Sequence, residues 1–540
     1  MSEHPAHPAR RAFLRQTALC TAGAGLVLAA PLAAAAAIPG PRPGSPSLAR
    51  VRSGRIGGQR EQGIHVFRGI PYGADTAPQR FQPALQEVPW RGVRDALDYG
   101  AAAPQSGSEG PGSEDCLFLN VWTPALRDGR KRPILFYIHG GGFNNGSGSD
   151  PLYDGGNLCR RGDVVVVTVN HRLNLFGYLY LAQLGGAGFA DSGNVGQLDL
   201  VQALQWVRQH AAEFGGDAGN ITVFGQSGGG AKIATLMAMP AAKGLFQRAW
   251  TMSGQQVTAA GPRAATQRAQ QVLQHFNSDA HALRTLPMEK LLEAGKLRDP
   301  SRVENTGLYL GPVLDARALP RHPFYPDAAP QSAGIPMVIG NTHDETRAFL
   351  GNDPANFTLD WDTLPARLEQ QQYVDLLPSV VIAEYRRLYP HYTPSDVFFA
   401  ATTAGRSWRG AVEELEARAR QDAPTWAYQL DWYDRTGEAA KLRAFHTLDI
   451  PLVFDNIGQP GSRTGHSADA QRVAGRMSDA LLAFARNGDP NHDGLPRWDC
   501  YRLPQRQTLL FDVDSRQADD PRGGERRLYQ QAPFIQRGTF

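Results

Sequence analysis

The sequence predicts an α/β fold: a large, mostly parallel central sheet with helices on both faces. Two observations carry this. Between about residues 51 and 254, short apolar runs rich in β-branched residues alternate with longer stretches of helical periodicity. Runs that are apolar at every position, not every second one, are strands buried on both faces, and parallel strands need helical crossovers to join them. The second observation is a glycine-flanked serine directly after one such run and directly before a helical stretch, a strand–turn–helix unit characteristic of open α/β sheets.

Taken in order, "PILFYIHG" (133–140), "DVVVVTVN" (163–170), "ITVFGQS" (221–227) and "RAWTMSG" (248–254) read as strands. Between the second and third lies "LDLVQALQWVRQ", in which Leu200, Leu204 and Val207 recur at helical spacing and form an apolar stripe. Two charged, helical regions near 261–299 and 360–420 are expected to roof the C-terminal edge of the sheet, separated by the strand "IPMVIG". After the strand "WAYQLDWY" comes the loop "RAFHTLDIPLVF", then a helix, "AQRVAGRMSDALLAFARNG", that should stop at Asn487-Gly488.

The N-terminus has a different character. Arg10-Arg11 stands shortly before Phe13-Leu14, and an uncharged, alanine-rich stretch runs from Gln16 to Ala37. Residues 1–37 therefore read as a twin-arginine export signal, followed by a Pro/Gly/Ser linker (38–47) and a single α/β domain (48–540). The apolar part is too short and too alanine-rich for a stable membrane anchor. The expected location is the periplasm or beyond, as a monomer.

The 55 basic and 52 acidic residues leave no basic stripe, so nucleic acid is not an expected partner. Of four cysteines Cys20 leaves with the signal, and Cys116, Cys159 and Cys500 form no disulfide framework. With neither C-x-x-C nor H-E-x-x-H, no metal or cofactor is expected.

"VFGQSGGGAK" holds two overlapping glycine patterns. As a phosphate loop it fails, because Ala231 and Lys232 stand where Lys and Ser/Thr must meet phosphate and magnesium. As Gly225-Gln226-Ser227-Gly228-Gly229 it is a G-x-S-x-G turn that exposes a serine hydroxyl. Serine needs a base, an acid to hold that base, and donors for the oxyanion. "FYIHGGGF" supplies a loop of Gly140-Gly141-Gly142 after a strand, with Phe143 at its end. Downstream, "IGNTHDETRAFLG" offers the carboxylates of Asp344 and Glu345, and His446 follows in its loop.

These motifs, with "FRGIPYG", "SEDCLFLNVW", "VNHRLNLFGYL" and "GNVGQLDLVQALQWV" in the same order, resemble the landmarks of the type-B carboxylesterase or cholinesterase-like family over nearly the whole mature chain. The resemblance implies an α/β-hydrolase fold and hydrolysis of small-molecule esters through an acyl-enzyme. It implies Ser227 as nucleophile, Glu345 as acid, His446 as base, and the amides of Gly141, Gly142 and Gly228 as oxyanion hole. Phe143 and Gln226 are expected to border the substrate. His343, His171 and His466 are read as bystanders, and Ser253 as structural. Arg68–Glu114 and Arg172–Asp199 are expected as buried ion pairs. Where the family commonly has glutamate before the nucleophile this chain has Gln226, removing a charge that would help stabilise a histidinium. Alanines replace the usual upstream partner of Cys116, implying a free thiol. Two other readings fit the resemblance: a hydrolase specialised for amides, carbamates or one bulky ester, and a non-catalytic binding protein.

Overall fold

The computed structural model describes residues 47–536 apart from 108, 111 and 300–306; the expected signal and residues 38–46 of the linker lie outside the described residues. The strands are Ser47–Val51 (β1), Gly54–Glu61 (β2), Ile64–Pro71 (β3), Val93–Asp95 (β4), Phe118–Thr123 (β5), Arg132–Ile138 (β6), Val165–Val169 (β7), Gly216–Gln226 (β8), Arg248–Met252 (β9), Met337–Thr342 (β10), Thr425–Leu430 (β11), Gln507–Phe511 (β12) and Arg516–Asp519 (β13). They form one sheet in the order β1-β2-β3-β5-β7-β6-β8-β9-β10-β11-β12-β13, with β4 paired to β2. From β7 to β12 all neighbours run parallel. The two ends of the sheet pair antiparallel. Chain length explains the difference: β2 and β3 are joined by Gln62-Gly63, both at positive φ, a hairpin turn that leaves no room for a helical crossover.

The central strands are buried on both sides, and their side chains alternate between two cores. In β6, Ile134, Phe136 and Ile138 pack with Leu200, Leu204 and Val207 of the helix Val195–His210. Leu135 and Tyr137 point the other way, toward Val473, Met477 and Leu481 of the helix Ala468–Asn487. Full burial of one such side chain stabilises by about 1.5–3 kcal/mol. The second helix is capped at both ends. Ser467 Oγ accepts from Ala470 N at 3.1 Å, and Gly488, at φ +78°, donates its amide to Phe484 O at 2.8 Å.

The two regions expected to be helical contain Pro262–His275 and Met288–Ala294, then Leu364–Gln371, Pro378–Leu388, Pro394–Thr403 and Arg409–Arg420, the last two joined by a π-turn at Ala404–Trp408. Among the described residues no helix is long and apolar enough to cross a membrane. Cys116 and Cys159 are buried and Cys500 partly so, and all three are free thiols.

One expected ion pair is present and one is not. Arg172 meets Asp199 through Nη2–Oδ1 at 2.6 Å and Nε–Oδ2 at 2.8 Å, and its Nη1 donates to Gln82 O at 2.7 Å. Arg68, however, does not reach Glu114. It forks onto Glu61 at 2.5 and 2.9 Å, the last residue of the adjacent strand β2. Glu114 instead pairs with Arg80, because Thr76 N and Oγ1 both bind Glu114 O and bring the turn ending at Arg80 alongside. Removing one partner of a buried pair leaves an uncompensated charge, costing about 3–5 kcal/mol. Arg172→Met is therefore expected to lower the urea midpoint of unfolding sharply while the folded fraction keeps its activity, measured by titrating active sites.

Candidate active site

Strand β8 ends at Gln226 and the helix Gly228–Leu236 starts two residues later, so Ser227 alone makes the turn. Its backbone lies at φ +56°, ψ −126°, a region costing a non-glycine residue about 1–3 kcal/mol. Tertiary contacts hold it there. Ser227 N donates to Met252 O at 2.7 Å, and Ala231 N to Ser227 O at 3.1 Å. The flanking glycines are required by space: a Cβ on Gly229 would lie 2.0 Å from Ile138 O, and one on Gly228 2.1 Å from Gly142 O.

That last contact brings the loop after β6 against the serine turn. Gly141 and Gly142 have φ of +81° and +60°, and among the described residues neither amide has a hydrogen-bond partner. Asn144 N and Asn145 N close the loop on Gly141 O at 3.2 and 3.1 Å. The amide of Gly228 opens its helix, one of the four that a helix leaves unpaired. The loop Gly140-Gly141-Gly142 and the start of the serine helix thus meet beside Ser227.

The acid side is equally determined by local geometry. Glu345 is fully buried after β10, where its Oε1 accepts from Thr342 N at 3.0 Å and Asn341 Nδ2 at 3.3 Å. Its Oε2 is left for His446 Nδ1, with which it makes a short hydrogen bond. Asp344 turns the opposite way, to His343 Nδ1 at 2.9 Å and Arg347 Nε at 3.2 Å. Of the two candidate carboxylates, Glu345 is the one that meets the imidazole. His466 is exposed; Ser253 Oγ accepts from Thr342 N at 3.3 Å, and Ser253 lines the same cavity as Ser227.

Ser227, Gly228, Gly142, Phe143, Glu345 and His446 all line one cavity of about 710 Å³. Gly141 sits one residue behind its wall. Gln226 is not at the substrate face as expected. It is buried at 1% exposure, with its Nε2 3.2 Å from His446 Nε2 and 3.4 Å from Nδ1. Among the described residues no hydrogen bond joins Ser227 Oγ to His446; the amide of Gln226 lies against the ring instead, and such catalytic contacts commonly tighten only with substrate bound.

Three neighbours escaped sequence reasoning. Phe349 lies 4.7 Å from the His446 ring at the cavity wall. Asp449 is buried behind the acid, bound by Tyr428 OH at 2.9 Å; burial and then the Glu345 charge push it up to about 7. Lys232 is wholly buried on the serine helix, and burial pushes it down to about 7. Phe349 and Asp449 follow Glu345 and His446 by one helical turn, the spacing that would have flagged them.

The Carboxylesterase family model matches residues 45–526. Over 488 residues the chain is 36% identical to para-nitrobenzyl esterase of Bacillus subtilis (strain 168), covering 88% of this chain and 96% of the relative. It is 34% identical over 485 residues to phenmedipham hydrolase of Pseudarthrobacter oxydans, covering 86% and 94%. Among solved structures, carboxylesterase EST55 of Geobacillus stearothermophilus superposes with a TM-score of 0.79 at 38% identity, covering 89% of this chain and all of that one.

The position of Gln226 yields a signed expectation. A carboxylate there would stabilise the protonated imidazole of His446, so the base would be lost to protonation at a higher pH. Gln226→Glu should move the acid limb of the kcat/KM profile upward by about one pH unit. An unmoved limb would contradict the contact.

Proposed function

Since the chain belongs to the carboxylesterase family and is a carboxylic ester hydrolase, we propose that it works through an acyl-enzyme on Ser227, with His446 as base, Glu345 as orienting acid and the amides of Gly141, Gly142 and Gly228 as oxyanion hole. The observation that carries this reading is the Glu345–His446 contact in the cavity that Ser227 lines on its strained turn. With Nδ1–H bound to Glu345, the lone pair of His446 is on Nε2, which the Gln226 amide approaches at 3.2 Å; once that amide gives way, this nitrogen accepts the serine proton. Ser227 Oγ adds to the ester carbonyl, and the oxyanion gathers on the glycine amides. His446 then returns the proton to the leaving alcohol as the C–O bond breaks. Water deprotonated by His446 attacks the acyl-enzyme, and collapse releases the carboxylic acid and free Ser227. Glu345 offsets the imidazolium charge throughout. Each step uses groups of this chain alone.

The cavity is lined by apolar Phe143, Leu175, Leu308 and Leu310 together with polar Gln255, Gln256 and Ser407. This mixed lining suits an ester with an apolar part and a more polar part. Across p-nitrophenyl esters from acetate to palmitate, kcat/KM is expected to peak at intermediate chain length. Ser227→Ala should lower kcat by about 10⁴- to 10⁶-fold and Glu345→Gln by about 10⁴-fold with the fold retained by circular dichroism. Retention of turnover in Ser227→Ala would overturn the mechanism.

The Arg10-Arg11 leader supports export of the folded enzyme by the twin-arginine route. Replacing both with lysine should leave precursor in the cytoplasm, measured by fractionation with immunoblotting; normal export of that variant would refute the route.

A further inference from the structure

Lys232, one of the two residues that break the phosphate-loop pattern, has a place in the fold that the triad does not use. It lies one turn into the serine helix, fully buried, and its Nζ donates to His139 O at 3.1 Å. The same Nζ is 5.7 Å from the centre of the Phe143 ring. His139 and Phe143 are the residues immediately before and after Gly140-Gly141-Gly142. One side chain on the nucleophile's helix therefore touches both ends of the glycine loop.

Its surroundings are basic. The rings of His139 and His171 stack at 4.8 Å and 15°, and their Nδ1 atoms face Gly140 O at 2.9 Å and Arg172 O at 3.0 Å. Both Nε2 atoms are buried without a partner, and Lys232 depresses both imidazoles after burial itself. Burial pushes Lys232 down, and among the described residues no ion pair reaches its Nζ. A buried lysine without a counter-charge is costly to the fold. Stability therefore gives no reason for its presence, whereas the loop it holds does.

We propose that Lys232 is a positioning residue for ester hydrolysis, fastening the oxyanion loop to the helix that carries Ser227 so that the amides of Gly141, Gly142 and Gly228 stay aimed at one point. The inference rests on the oxyanion hole proposed above. The loop is also held by Asn144 N and Asn145 N on Gly141 O and by Asn174 N on Phe143 O at 2.7 Å; the bond from Lys232 to His139 O is a tie that runs from its other end to the helix carrying Ser227. Three glycines in a row are conformationally permissive, so an anchor at each end supplies the rigidity that preorganised donors require.

The test is Lys232→Met, of similar volume, with rates expressed per active site titrated by a phosphorylating inhibitor. The expected result is a fall in kcat of about 10- to 100-fold, less than complete loss of a donor, with KM within about twofold. An alkyl trifluoromethyl ketone, which adds Ser227 Oγ to form a hemiketal oxyanion, should lose affinity in proportion to kcat/KM. The matching alcohol, which forms no oxyanion, should bind as before. Lys232→Leu is read in the same way, so either folded variant suffices. A wild-type kcat per site, or equal weakening of both inhibitors, would overturn the role of Lys232. If the wild-type enzyme itself does not prefer the ketone to the alcohol, it is the oxyanion-hole reading that fails.

Discussion

The rest of the site depends on the one-residue turn at Ser227. Parallel register places Ile138 of β6 beside Gly225 of β8, and Gln226 beside Met252 of β9, so three strand ends finish level with one another. The turn is strained, and only close packing holds it: a Cβ on Gly254 would stand 1.8 Å from Ser227 O, and one on Gly229 2.0 Å from Ile138 O. These contacts use the backbone alone. They stabilise the turn and also bring the loop after β6 to the serine, so Ser227 and the glycine loop come together in one packing event at the carboxyl ends of the strands.

The imidazole is placed by a different device. Glu345 could not be buried as a lone carboxylate without great cost, but Thr342 N and Asn341 Nδ2 fill one oxygen and leave the other a single direction to point. Asp344 is taken out of contention by Arg347 and His343. Two adjacent acids thus acquire separate fates from their partners. The selection is made by hydrogen bonding around the carboxylates and not by their order in the chain.

The central sheet, the serine turn, the glycine loop and the helix ending at Gly488 were legible in the sequence because each is written in local pattern: continuous apolar runs, glycines at fixed offsets, a helix stop. Antiparallel ends of the sheet were not, since a two-residue hairpin at Gln62-Gly63 leaves a weaker trace than a buried strand. Arg68 was assigned to the wrong acid for a related reason. An ion pair is a statement about three-dimensional neighbours, and the β2–β3 hairpin offered Glu61 nearer than Glu114. Gln226 could be located beside the nucleophile but not oriented, because the last residue of a strand points to one face or the other according to register.

One arrangement belongs to no single motif. On the imidazole side, the buried groups are acids: Glu345 against the ring, Asp449 behind it, Asp344 beyond. On the side of the glycine loop, the buried groups are Lys232, His139 and His171, and among the described residues no acid is paired to the lysine. In the proposed mechanism ester attack separates charge along the same line, with an imidazolium forming at His446 beside Glu345 and a negative oxygen at the glycine loop. Burial keeps both imidazoles of the loop side neutral and pushes Lys232 down and Asp449 up, so the hydrogen bonds and dipoles that the fold fixes around the cavity are what the reaction charge meets without rearrangement.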